Sequence, residues 1–255
     1  MSNNPVPAGA PSIPCANGTG AAPLLFSGVP GSPYTRKMLA LLRYRRIAYR
    51  WIQASRGVTG LPRPAVHLLP TFYLPQADGS LAAVTDSTPL IRRFEADHGG
   101  RHAVPGHPAL AFIDALIEDY ADEWLTKAMF HYRWHFADDI RQAGLVLPCW
   151  ALGPLPDEPL AAHAQAIRDR QMPRLRYVGS NEQTWGVIEA SYARFLGLFE
   201  AHLQHHRFTR LTAHVCCPFV ARARSVMTIG DASLASQAVN SNGYVTVKCG
   251  NFSEA

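Results

Sequence analysis

The chain has 255 residues with 47% apolar and 17% charged side chains, which excludes a chain disordered throughout and leaves room for one large or two small domains. No apolar stretch approaches the roughly 18 residues of a membrane-spanning helix, so an integral membrane protein is excluded. The formal charge of +5 is diffuse: residues 207–255 carry +3 and the first 206 only +2, which gives nucleic-acid binding little electrostatic support.

Residues 1–22 are rich in Pro, Ala, Gly and Asn and lack Lys, Arg and an apolar run. They read as a flexible leader and not as a secretory or transit signal. The cysteines are Cys15, Cys149, Cys216, Cys217 and Cys249. With no C-x-x-C and no zinc-type Cys/His spacing, they fit a reducing, cytoplasmic setting.

Leu24–Phe26 begins a strand, 27–31 is a glycine turn, and a helix follows in which Ser32 is a good N-cap and Pro33 suits the first position. Ile47–Ile52 reads as a second strand parallel to the first. Its neighbour Arg43-Tyr-Arg45-Arg46 reads as a solvated helix end. Pro62 and Pro64 argue against a long helix over 56–68. Thr71–Leu74, the turn 76–79 and Leu81–Val84 form a hairpin. A helix then starts after Asp86-Ser87, buries Leu90, Ile91 and Phe94, and ends at His98-Gly99-Gly100. The order β-α-β-loop-β-β-α is a thioredoxin-like domain over 23–98, and 99–108 is a linker by composition.

Beyond the linker the period becomes helical, giving an all-helical domain over 109–206. Leu110, Ile113, Ile117, Tyr120, Trp124 and Ala128 recur at helical spacing, with Asp114, Glu118 and Asp122 opposite them. Trp185, Ile188, Tyr192, Phe195, Phe199 and Leu203 repeat that spacing, and 159–172 is a weaker helix between. The acids Glu118, Asp119, Asp122 and Glu123 read as a solvated face; Tyr120, Trp124, Phe130 and Trp134 read as bundle core. His131 and His135, four residues apart with Asp138 and Asp139 behind, could share a metal on one helical face. The fuller H-E-x-x-H pattern is absent, so the expectation is a partly exposed pair that is not a ligand set, and no metal is assigned.

A thioredoxin-like unit joined by a short linker to a helical bundle resembles the soluble glutathione S-transferases over roughly residues 24–206. Ser32-Pro33-Tyr34-Thr35-Arg36-Lys37 looks like that family's catalytic turn, Leu69-Pro70-Thr71 like its residue plus cis-proline, and Thr85-Asp86-Ser87 like its acidic-Ser pair. The resemblance implies Ser32 as the group that activates the glutathione thiol. It further implies Leu69 and Pro70 as the backbone that aligns the cysteinyl unit, and Asp86 with Ser87 as the anchor of the γ-glutamyl end. Tyr34 reads as packing, yet its phenol could replace Ser32 as the thiol's donor. The same resemblance implies a fold of α/β plus all-α type and a homodimeric, cytoplasmic detoxification enzyme. Its co-substrate would be glutathione, without metal, nucleic acid or membrane, and its second substrate a small apolar electrophile. A lyase, isomerase or peroxidase on the same scaffold, or a non-catalytic glutathione-binding or scaffold module, are the alternatives. Residues 207–255 depart from the family, because the helical period stops and 240–247 reads as a turn and strand. They are expected to be a frameshifted or otherwise divergent tail that deprives the bundle of a central helix.

Overall fold

The computed structural model describes residues 22–53 and 60–205. The expectations for the leader, for the tail 207–255 and for four of the five cysteines lie outside these residues. Cys149 is half-buried and free.

The sheet has strands β1 (Leu24–Gly28), β2 (Tyr49–Gln53), β3 (Thr71–Pro75) and β4 (Leu81–Val84) in the order β2-β1-β3-β4. β1 and β2 are parallel; β1–β3 and β3–β4 are antiparallel. Helix α1 (Pro33–Arg45) supplies the crossover between the parallel pair. It closes at Arg46 in the left-handed region, and Ile47 is taken up by a hydrogen bond to Leu42 O, so β2 starts later than Ile47. Phe26 and Phe72, opposite each other on one sheet face, stack at 4.9 Å, and Phe94 of helix α2 (Ser87–Asp97) meets Phe72 edge-on at 5.1 Å. Met38 and Leu42 of α1 and Leu90 and Ile91 of α2 complete this core, all but inaccessible to solvent. A thioredoxin-like unit followed by a helical unit is therefore the architecture observed.

The helical unit comprises α3 (Pro108–Tyr120), α4 (Thr126–His135), α5 (Ala137–Leu152), α6 (Asp157–Gln171) and α7 (Trp185–His205). A π-helical turn, Ala121–Leu125, joins α3 to α4, and a 3₁₀ turn, Met172–Val178, follows α6. No described helix is long and apolar enough to cross a membrane. Helix α5 is not among the elements expected from periodicity. It carries Pro148 internally, a residue that ordinarily breaks a helix.

Four expectations are corrected. Of the acids read as a solvated face, Asp119 and Glu123 are exposed, but Glu118 and Asp122 pair with the buried Lys37 of α1, and Asp114 on the same stripe is 3% exposed. The opposite face is the exposed one, with Trp124 at 62% and Leu110, Ile113 and Leu116 likewise open, so Trp124 is not bundle core. The physical reason is Lys37, which requires carboxylates wherever it is buried. Arg45 is also not solvated. Its guanidinium donates to the carbonyls of Phe94, His98 and Arg101 and pairs with Glu95 at 3.2 Å, capping α2 and fixing the linker. Finally, His131 is fully buried.

Burial, followed by the charges of Glu118 and Glu95, pushes the Asp114 carboxyl up from 3.8 to about 7, with Lys37 opposing. The folded state then holds a proton that the unfolded chain releases, so this group subtracts stability as pH rises from about 4 to about 7. Asp114→Asn is expected to melt several degrees above wild type at pH 8 and to lose that advantage near pH 4. Parallel melting curves across pH would contradict it.

Candidate active site at one end of the sheet

Register alone brings three segments together. Ser27 lies opposite Thr71, which sets Leu69-Pro70 beside the end of β1, where the turn into α1 begins. Phe72 lies opposite Val84, which sets Asp86 and Ser87 beside the same end of β3. The starts of α1 and α2 and the Leu69–Pro70 bond, which is cis, therefore share one sheet edge. The sequence-derived residues Ser32, Leu69, Pro70, Asp86 and Ser87 all fall on it.

Ser32 is half-buried and extended, and its Oγ accepts a hydrogen bond from Thr35 N at 3.2 Å. That N-cap uses a lone pair and leaves the hydroxyl proton available to a second partner. No acidic residue occupies the first turn of α1, so the positive end of the helix is not neutralised from within. Asp86 is exposed at φ 78° and caps α2 by accepting from Thr88 N at 3.3 Å. Ser87 is buried, and its Oγ accepts from Lys37 Nζ at 3.2 Å.

Lys37 Nζ also lies 2.6 Å from Glu118 and 2.5 Å from Asp122, so one cation ties α1, the start of α2 and the helical unit together. Thr88 Oγ1 adds a hydrogen bond to Glu118 at 2.9 Å. Burial keeps the Asp122 carboxyl above its ordinary range even with Lys37 beside it. Tyr34 takes a different direction from Ser32: its hydroxyl donates to the main-chain oxygen of Asp122 at 3.1 Å. Burial and the Asp122 charge raise its phenol above 10, which keeps it a neutral donor.

Two guanidinium groups hold the turn that precedes Ser32. Arg36 Nε donates to Pro30 O at 2.7 Å and its guanidinium lies 5.5 Å from the Trp150 ring. Arg133 of α4 approaches Gly31 O at 3.4 Å. Burial, with the Arg36 charge, lowers Arg133 to about 10, and it remains a cation at neutral pH. In the sequence, Lys37 and Arg36 stand in the helix-start motif without a role of their own, and nothing singles out Arg133. The acidic residues at 114, 118 and 122 were the available signal, since a buried acidic stripe implies a cation facing it.

Leu147 and Trp150 of α5 form an apolar wall at the same turn, within 4 Å of where a Gly31 Cβ would sit. A shallow groove of about 360 Å³ on the exposed side of α3 is separate, being lined by Leu116, Ile117, Asp119, Tyr120 and Trp124.

Residues 26–102 match the family model described as "Glutathione S-transferase, N-terminal domain". The first unit is a glutathione S-transferase N-terminal domain. No curated protein matches the chain. Among solved structures, it is similar to a glutathione transferase family member from Pseudomonas fluorescens Pf-5 with bound glutathione (18% identity, 77% of this chain and 80% of that one, TM-score 0.36). It is also similar to glutathione S-transferase III in apo form (18%, 80% and 82%, TM-score 0.41). A third is glutathione transferase Omega 2S from Trametes versicolor in complex with 2,4-dihydroxybenzophenone (16%, 83% and 98%, TM-score 0.36). The bound molecules are properties of those proteins.

In this glutathione S-transferase N-terminal domain, a Cβ at Gly31 would lie 2.6 Å from Leu147 Cδ2, so the half-buried Leu147 side chain must shift to admit one. Gly31→Ala is expected to destabilise the chain by about 1 kcal/mol or less, and by still less in a Leu147→Ala background. Denaturant unfolding of wild type, the two single variants and the double variant checks this; an additive loss in the double variant would contradict it.

Proposed function

We propose that the chain is a glutathione transferase that joins the glutathione thiolate to a small apolar electrophile. The observation that carries the reading is the free hydroxyl proton of Ser32 at the unneutralised start of α1, within a domain of this family.

A free thiol has a pKa of about 8.5, so the nucleophilic thiolate is the minor form at neutral pH. Lowering that pKa by two units takes about 2.7 kcal/mol of preferential stabilisation of the anion. Three contributions act in the same direction. The Ser32 hydroxyl donates to sulfur, the helix start presents N–H groups and partial positive charge, and the Arg36 and Arg133 cations stand behind the turn. The thiol proton leaves to solvent, so no general base is needed. Sulfur then attacks the electrophilic carbon, an S–C bond forms, and the leaving group departs with its electron pair.

Leu69 and Pro70 align the cysteinyl backbone, while Asp86 takes the γ-glutamyl ammonium and the α2 start at Ser87 its carboxylate. Leu147 and Trp150 offer the electrophile an apolar surface next to the turn. Tyr34 is a less suitable thiol donor because its proton is engaged by Asp122 O. A cytoplasmic homodimer acting in detoxification completes the proposal.

Conjugation of glutathione to chlorodinitrobenzene by the full chain tests it. Ser32→Ala is expected to lower kcat/KM by about 10²-fold, with little change for Tyr34→Phe. Arg133→Gln is expected to move the pH–rate profile upward by less than Ser32→Ala does. Retention on immobilised glutathione without turnover would instead identify a binding module, and absence of retention would contradict both.

A further inference from the structure

Away from the sheet end, the helical unit gathers a second set of chemistry-bearing side chains. His131 and His135 lie four residues apart on α4 with their imidazoles stacked, centroids 4.7 Å apart and planes 20° from parallel. Glu189 of α7 reaches the pair, with Oε1 3.5 Å from His131 Nε2. One donor atom from each residue lies within 4.8 Å of the other two.

His131 is fully buried, and its Nδ1 lies 2.8 Å from Ser180 Oγ, itself buried. Its Nε2 is buried and makes no hydrogen bond. Such an orphaned polar atom ordinarily costs about 1–3 kcal/mol. The same distances suit an Nε2–H facing Glu189 or, with the proton on Nδ1 and donated to Ser180, an Nε2 lone pair facing it; the second is the arrangement of a metal-ligating histidine fixed by an outer hydrogen bond.

We propose that His131, His135 and Glu189 bind a divalent metal ion of the zinc class. For a tetrahedral ion with bonds of about 2.1 Å, neighbouring ligand atoms stand about 3.4 Å apart. The 3.5 Å between His131 and Glu189 already meets this spacing. The widest spacing in the set, within 4.8 Å, closes to the same value with up to about 1.4 Å of side-chain movement. Two imidazoles and one carboxylate suit zinc, with water as fourth ligand. Glu189 is 41% exposed and provides that opening. Trp185 and Phe136 pack on the His135 ring, with centroids 4.2 and 4.7 Å away. The sequence placed the two histidines on one face with Asp138 and Asp139 behind them, whereas the third donor, Glu189, comes from a helix more than fifty residues further along. Bound there, the ion clips the start of α7 to α4.

The full-length chain, stripped with chelator and dialysed, is titrated with Zn²⁺ and in parallel with Co²⁺, whose visible d–d bands report tetrahedral coordination. One saturable Zn²⁺ per chain, a rise in Tm on binding and tetrahedral Co²⁺ bands are expected. His135→Gln and Glu189→Gln, neither at a fully buried position, are expected to retain wild-type circular dichroism and to weaken binding by at least about tenfold. The proposal is overturned if wild type shows no saturable uptake. It is equally overturned if both variants titrate like wild type, which would send the ion to other histidines or cysteines.

Discussion

The interaction on which the arrangement depends is the burial of Lys37. An ammonium taken from water needs compensation within reach, and α1 offers none. Glu118 and Asp122 supply it from the helical unit, and Ser87 supplies a hydroxyl from the start of α2. One cation thereby fixes the inward face of α3 and the position of the Ser87 turn relative to α1. Breaking such a cluster by removing one partner typically costs about 3–5 kcal/mol, because the remaining charges stay buried. Asp114, on the same stripe and without a cation of its own, takes up the excess negative charge by holding a proton near neutrality.

With the two helix starts held at one sheet edge, the chemistry of the site depends on hydrogen-bond direction. Ser32 satisfies α1 with a lone pair and keeps its proton, so capping and thiol activation are compatible roles for a single hydroxyl. Tyr34, two residues further along α1, spends its proton on the helical unit. Arg36 and Arg133 grip the carbonyls of the preceding turn and add positive potential without occupying the Ser32 hydroxyl.

The thioredoxin-like unit was legible because local signals agree with the global fold there. Ser32 and Pro33 mark a helix start, the turn 76–79 marks a hairpin, and the strands are short and apolar. The helical unit was legible only in part. Periodicity identified α3 as amphipathic but did not say which face turns inward, and the hydrophobic rule chose the wrong one. The deciding partner, Lys37, lies 81 and 85 residues away from Glu118 and Asp122. Pro148 hid α5 by breaking the local rule. Arg133 of the candidate active site and, in the histidine cluster, the Glu189 that approaches His131 were invisible for the same reason: no spacing along the chain encodes them.

The central claim is that sulfur of bound glutathione is held as an anion by the Ser32 hydroxyl and the start of α1. The ultraviolet thiolate absorbance of glutathione bound to the full chain, followed against pH, measures this directly. A pKa about two units below that of free glutathione, largely restored to the free value in Ser32→Ala, is the result expected. A bound thiol that titrates as it does in water, or one equally depressed without the hydroxyl, would contradict the account.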